Sequence, residues 1–140
     1  MSARTSFDYA VLRVVPDLER EEFVNAGIVL LCLERGFLGA RVHLDEARVR
    51  ALAPDADLAR IAEHLDAVVR VAEGGADAGP IGRLSVRERF HWLVAPRSTV
   101  IQVSPVHVGL CDAPDEALAH LMARIVRPRA ASPERTTPRD

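Results

Sequence analysis

The chain contains no lysine, so each of its 18 basic residues is an arginine, against 20 acidic residues in a total of 140. Alanine is abundant as well, with 21 residues, and we interpret the arginine bias first as the amino-acid usage of a GC-rich genome. The formal net charge of −2 argues against a protein that coats nucleic acid, because such proteins are strongly basic. The charge is nevertheless uneven, since residues 79–140 hold 9 arginines against 6 acidic residues.

Long apolar runs are also missing. The longest, residues 28–33, is far shorter than the roughly 18 residues that span a bilayer. The N-terminus carries Arg4 and Asp8 and has no apolar segment before a cleavage site, so it does not resemble a secretory signal. The sequence therefore predicts a cytoplasmic protein that does not enter a membrane.

Cysteine and histidine are too sparse for a metal cage. Cys32 and Cys111 are the only cysteines and each lies in apolar sequence, which favours two buried free thiols, with a disulfide as the alternative. The five histidines stand at positions 43, 64, 91, 107 and 120. No pair of histidines or cysteines shows the HxxxH, CxxC or HExxH spacing that zinc sites use. We expect neither a metal nor a cofactor.

The first third of the sequence predicts strands. Residues 7–15, 23–33 and 37–44 are rich in β-branched and aromatic residues or alternate in hydropathy, and the turn at 34–36 ends in Gly36, as in an antiparallel hairpin. A later β-branched segment, 99–103, predicts a fourth strand. Asn25 and Gly27 interrupt the second strand, and we expect a bulge there in which the buried amide plays a structural role, ahead of a ligand contact.

The remainder of the sequence predicts helices. Asp45 and Asp57 are N-cap candidates for helices over 46–52 and from 58 to the glycine pair at 74–75, and the final amphipathic helix covers 114–126. Ser85 and Glu88 form the capping-box pattern before a helix over 86–94, and a glycine-rich loop at 74–82 precedes it. We therefore predict an α+β fold with an antiparallel sheet of about four strands, three of them N-terminal and one later, and helices packed mainly on one face.

A single domain accounts for most of the chain. We place it at residues 7–127, after a flexible N-terminus at 1–6 and before a tail at 128–140. Proline, arginine, serine and threonine dominate that tail, which predicts disorder.

Two strings carry a resemblance to a known family. They are NAGIVL at 25–30 and GPIGRLSVRERFHWLVAPRSTVIQVSPVH at 79–107. Together they resemble the bacterial family called domain of unknown function 3037, over about residues 7–127. The resemblance implies a small accessory protein of the kind encoded beside HipA-like kinase-fold proteins, and so a protein partner. It assigns no catalytic residue.

The second string is locally basic. It holds four arginines against one acidic residue, Glu88, together with His91 and His107. The arginines are Arg83, Arg87, Arg89 and Arg97. One interpretation is a phosphate or carboxylate pocket at the start of a capped helix, with Ser98 or Thr99 adding a hydroxyl. The other is that these arginines pair with acidic residues of the first half of the chain or of a partner.

Helical spacing separates these side chains around the predicted helix. Phe90 faces the core, Arg87 and His91 share one flank, Arg89 lies on the other flank, and Trp92 points away from the core. An outward tryptophan beside arginine is typical of a binding hot spot. The alternative is that Trp92 is a second core anchor, covered by the preceding loop or by the last helix.

Two functional hypotheses follow. The first is a non-catalytic interaction module that docks a protein partner, either a kinase-fold protein or a second copy, through the surface of residues 79–107. The alternative is a small enzyme or sensor that binds a phosphorylated ligand or nucleotide in the same arginine-rich region. No Walker loop, dinucleotide fingerprint or nucleophile elbow accompanies that region. The sequence therefore favours a binding protein over an enzyme, and a protein partner over nucleic acid.

Overall fold

Five strands form one antiparallel sheet within residues 4–97 and 99–128, which are the residues that the computed structural model describes. The strands are β1 (Thr5–Val14), β2 (Val24–Cys32), β3 (Phe37–Val42), β4 (Ile101–Val103) and β5 (His107–Cys111). Their order is β3-β2-β1-β4, and β5 also pairs with β1. Residues 101–111 therefore follow one edge of the sheet as two short strands in succession, and within the described part of the chain both pair with β1 alone.

The helices begin where the capping patterns predict. They are α1 (Glu46–Leu52), α2 (Leu58–Glu73), α3 (Val86–Val94) and α4 (Pro114–Leu121), and α4 continues into a π-helical turn at Met122–Val126. Asp45 and Asp57 accept hydrogen bonds from backbone amides in the first turns of α1 and α2, at 3.2 and 3.1 Å. The glycine-rich segment expected to be a loop forms a 3₁₀ turn over Ala76–Arg83, broken at Gly79, which has a positive φ of 70°.

Helices cover both faces of the sheet, three on one and one on the other. One face packs against α1, α2 and α3 through Val49, Ile61, Leu65, Phe90 and Leu93. The opposite face packs against α4 and its π-helical turn through Leu118, Met122 and Val126. The predicted α+β class, with an antiparallel sheet and most helices on one face, is confirmed.

A β-bulge lies at the expected position in β2. The register shifts so that Leu12 faces Gly27 and Arg13 faces Asn25, which leaves one extra residue on β2. A Cβ atom on Gly27 would lie 2.7 Å from the carbonyl oxygen of Arg41, so only glycine fits there without displacing β3. The amide of Asn25 donates to the carbonyl oxygen of Ile125 at 3.3 Å. Asn25 thus links β2 to the π-helical turn, and Gly27 allows β3 to lie close against β2.

The two cysteines are free and buried. Cys32 lies in β2 and Cys111 in β5, with β1 between these strands. Two strand spacings amount to roughly 9–10 Å, whereas the Cα atoms of a disulfide lie within about 7 Å of each other. The topology thus excludes a disulfide within the chain. Burial raises the pKa of the Cys111 thiol above its ordinary value.

The ends of the folded region differ slightly from the predicted boundaries. Strand β1 begins at Thr5, two residues before the boundary predicted at residue 7, and the buried Thr5 hydroxyl donates to the Glu34 carboxylate at 2.5 Å. The start of the predicted flexible N-terminus, residues 1–3, and nearly all of the predicted disordered tail, residues 129–140, lie outside the described residues. In the described part of the chain, no helix combines the length and the apolar character needed to cross a membrane.

Candidate functional site

The start of α3 positions most of the predicted site residues. The Ser85 hydroxyl accepts a hydrogen bond from the Glu88 amide at 3.2 Å and donates to the Glu88 carboxylate at 2.9 Å. In a full capping box the carboxylate accepts from the backbone amide of the capping residue; the Glu88 carboxylate contacts the Ser85 hydroxyl instead. Phe90 and Leu93 are buried against the sheet, which fixes the rotation of α3 and therefore the direction of every other side chain on it.

The Arg89 side chain forms hydrogen bonds within the protein. Its guanidinium donates to the carbonyl oxygen of Leu84 at 2.6 Å and to that of Ala72, in the last turn of α2, at 3.4 Å. The last carbonyls of a helix have no partner within the helix, so they attract such donors. The Nε atom of Arg89 is buried without a partner. Arg89 therefore links the end of α2 to the start of α3, and its predicted role as an anion-binding side chain stays a prediction.

Arg97 and Trp92 form a stacked pair. The guanidinium carbon of Arg97 lies 4.2 Å from the centroid of the Trp92 ring, and Arg97 donates to the Trp92 carbonyl oxygen at 2.7 Å. Trp92 is 39% exposed, so it is neither enclosed in the core nor fully in solvent. The cation–π contact and the hydrogen bond together hold Arg97 beside the end of α3.

Trp92 and Arg97 line a cavity of about 270 Å³ between α2, α3 and β4. The apolar part of its wall consists of Leu12, Ala67, Val68, Val71, Trp92, Leu93, Ala95, Ile101 and Val103. The polar part consists of His64, Arg97, Thr99 and Gln102. No acidic residue is among these described lining residues. We call this space the Trp92 cavity.

A second cavity of about 270 Å³ lies on the other flank of α3. Arg87 and His91 line it together, as their helical spacing predicts, and they face Asp8 and Glu34 from the sheet side. Arg87 thus shares this cavity with acidic residues of the first half of the chain, but no direct ion pair joins them in the described part of the chain, so the salt-bridge interpretation stays a prediction. Within residues 4–97 and 99–128, no three histidine, cysteine or acidic residues are placed to hold a metal ion.

The remaining predicted site residues are dispersed. The His107 ring lies 5.2 Å from the Tyr9 ring, on the face covered by α4, whereas His91 lies on the opposite face. The Thr99 hydroxyl donates to the Ile101 carbonyl oxygen at 2.8 Å, and Arg83 is exposed at the end of the 3₁₀ turn. Ser98 lies outside the described residues. The arginines and histidines therefore do not converge on one anion pocket.

The sheet edge formed by residues 101–111 overlaps the predicted partner surface at 79–107, but its exposed apolar side chains, Val108 and Leu110, lie beyond that surface and were not predicted as site residues. Val108 is 72% exposed and Leu110 is 65% exposed, on a strand that β1 pairs on one side only. Ser104 joins β4 to β5: its amide donates to the Val11 carbonyl oxygen at 2.9 Å, and its hydroxyl accepts from the Val11 amide at 2.8 Å. The alternation of apolar residues at 106, 108 and 110 is the sequence signal that would have revealed this strand.

Comparison with known proteins identifies the family of the chain. No curated protein and no solved structure matches the chain. One family model matches residues 9–126, which include both cavities' helices and the edge formed by β4 and β5. The description of that family names no activity. The chain belongs to the family described as Protein of unknown function (DUF3037).

Proposed function

We propose that the protein is a non-catalytic interaction module that binds an extended segment of a partner protein along the outer edge of β5. The observation that carries this proposal is the pair Val108 and Leu110, which are among the most exposed large apolar side chains of the described residues. They stand on an edge strand whose outer backbone groups pair with no other strand of the described chain.

The composition of this edge supports strand addition. Proteins that remain monomeric usually protect an edge strand with charged residues or with proline. The edge has one proline, Pro105, before β5, whereas residues 106–111 contain no proline, arginine, aspartate or glutamate. A partner strand added beside β5 would form main-chain hydrogen bonds and place alternate side chains next to Val108 and Leu110. Main-chain hydrogen bonds along the edge would therefore give affinity, and the exposed side chains would fix the register of the partner strand.

The neighbouring cavity extends this surface. Val108 pairs with Asp8 and Leu110 with Ser6, and both of these β1 residues line the cavity that Arg87 and His91 face. Because paired residues of adjacent strands point to the same side of a sheet, the exposed apolar pair adjoins the cavity. An apolar pair next to a polar, partly charged rim is the usual organisation of a protein interface.

The geometry gives less support to a pocket for a phosphorylated ligand. Such a pocket needs several arginine forks aimed at one point. Arg89 donates to backbone carbonyls, Arg97 stacks on Trp92, and Arg87 lies on the other flank of α3. Three of the four arginines thus occupy three separate environments.

For the partner we propose a HipA-like kinase-fold protein, the class that the family resemblance implies. A second copy of the chain is the competing occupant. Self-pairing of the five-residue β5 about Gly109 would bring together two exposed apolar side chains per chain. Specific interfaces usually engage roughly 20–30 residues on each side, so a partner that also covers the adjoining cavity fits the surface better.

The test is pairwise binding of the full chain to a purified HipA-like kinase-fold protein from the same genome. Val108→Lys and Leu110→Lys should each weaken the complex roughly tenfold or more, because each places an uncompensated charge at the centre of the interface. Leu18→Lys is the matched control, since Leu18 is an exposed leucine in the turn after β1. We expect this control to bind like the unmodified chain.

Two results would refute the proposal. One is the absence of a complex, or a complex that Val108→Lys leaves unchanged. The other is a dimer of the chain alone, detected by light scattering, that dissociates in Val108→Lys, since a second copy would then occupy the edge. Melting temperatures of the variants should match that of the unmodified chain, because the replaced side chains are exposed.

A further inference from the structure

We infer that the Trp92 cavity binds a small amphipathic carboxylate, with an apolar chain or ring inside the cavity and the carboxylate at Arg97. This inference is independent of the proposed partner surface, because the two involve different residues. The Trp92 cavity lies between α2, α3 and β4, whereas the partner surface consists of β5 and the opposite flank of α3.

The cavity has the size and lining of a site for a small apolar group. Its volume of about 270 Å³ is just below the roughly 300–1,000 Å³ of sites for drug-sized ligands, and an apolar cavity of about 150 Å³ can hold benzene. Val68, Val71 and Leu12 line it together with the indole of Trp92. A medium-length acyl chain or a single aromatic ring therefore fits the space.

The charges at the mouth select the head group. Arg97 and His64 are the basic residues among the described lining residues, and no acidic residue accompanies them. Two other polar residues are engaged within the protein, because the Thr99 hydroxyl donates to the Ile101 carbonyl oxygen and the Gln102 amide donates to the Thr99 carbonyl oxygen. A carboxylate complements this mouth, whereas an ammonium group does not.

Arg97 is positioned in advance for such a head group. Its stacking on Trp92 and its hydrogen bond to the Trp92 carbonyl oxygen restrict the guanidinium. A guanidinium carries five N–H donors, so others remain for a carboxylate. One arginine beside an apolar wall suits a singly charged acid better than a phosphate, which usually engages several basic or backbone donors.

The experiment uses the fluorescence of Trp92, which is the only tryptophan in the chain. Octanoate, octanol and octylamine share an eight-carbon chain and differ in head-group charge. Octanoate should change the fluorescence saturably, with a Kd in the submillimolar to millimolar range that is ordinary for so small a ligand. Octanol should bind about tenfold more weakly, since it lacks the charge-assisted contact with Arg97, and octylamine should bind more weakly still.

Three variants locate the site. Arg97→Gln should weaken octanoate about tenfold and leave octanol unchanged, because it removes only the charge that selects the acid. Arg83→Gln is the matched control: it removes the same charge from an exposed arginine that does not line the cavity, and octanoate should bind it normally. Ala67→Phe should fill the cavity and abolish the response to both compounds.

The inference is wrong if octanoate and octylamine bind equally, or if Arg97→Gln binds octanoate as well as the unmodified chain does. It is also wrong if none of the three compounds gives a saturable response at millimolar concentration. If the Trp92 fluorescence changes only when a protein partner is added, and with none of the three compounds, a side chain of that partner occupies the cavity and the inference is wrong. Because Arg97 is exposed, its replacement should leave the fold intact and the result interpretable.

Discussion

Replacement of Arg89 by alanine separates a structural role from an anion-binding role. The bond from Arg89 to the Leu84 carbonyl oxygen, at 2.6 Å, is short and charge-assisted, and such bonds contribute roughly 1.5–3 kcal/mol. The contact with the Ala72 carbonyl oxygen, at 3.4 Å, lies near the outer limit of hydrogen bonding and should contribute little.

Two further effects act in opposite directions. Truncation removes the unpartnered, buried Nε atom and with it a desolvation cost, which favours the variant. Truncation also leaves space beside Gly74, since a Cβ atom on that glycine would lie 3.0 Å from the Arg89 guanidinium carbon. We take these effects to cancel approximately. The expected loss in the free energy of unfolding is therefore about 2 kcal/mol.

Chemical denaturation measures this loss directly. For a domain of this size, about 2 kcal/mol corresponds to a fall of roughly 6–10 °C in melting temperature. Arg87→Ala is the matched control: its side chain is exposed on the same helix, and it should change stability by no more than about 0.5 kcal/mol. Equal stability of the two variants would refute the structural role of Arg89 and return it to the candidates for ligand binding.

Two other predictions concern the sheet. Ser104→Ala should lower the free energy of unfolding by about 2 kcal/mol, because the buried Val11 amide loses its acceptor; Ser104→Thr, which keeps a hydroxyl, should lose less than half of that in the same assay. Burial raises the folded-state pKa of Cys111 above its ordinary value of 9.0, so the unfolded chain loses its thiol proton first. The contribution of Cys111 to the free energy of unfolding is therefore fully present below pH 9.0 and decreases as the pH rises above it. Denaturation curves recorded below and above pH 9.0 should show this decrease, and Cys111→Ala should lack it.

Local signals account for what the sequence predicted well. Asp45, Asp57 and Ser85 each cap a helix through the backbone amide three residues away, so a short window of sequence contains both partners. Gly36 adopts a left-handed conformation, with φ of 61°, between the turn and β3. Such conformations strongly favour glycine. These elements could be placed without knowledge of the rest of the fold.

Contacts between distant residues account for what the sequence did not predict. Leu12 faces Val103 across the sheet, and no local pattern specifies that pairing. The sequence predicts a regular strand only over 99–103, with at most an irregular extension over 105–110, whereas His107–Cys111 form a second regular strand along the edge, β5. Arg89 likewise contacts the Ala72 carbonyl oxygen, and this contact exists only because the end of α2 packs against α3. The number of arginines in a sequence window cannot show which of them form hydrogen bonds within the folded protein.

The absence of lysine has a consequence for the arginines around α3. Arg89 donates to two carbonyl oxygens, and Arg97 stacks its guanidinium on an indole while donating to a carbonyl. Both arrangements need a planar group with several donors in fixed directions, which the lysine ammonium does not provide. Genome composition can explain why arginine is frequent in this chain. The geometry favours arginine at these two positions, since two separate nitrogens of Arg89 reach two carbonyls and the planar guanidinium of Arg97 lies over the Trp92 ring.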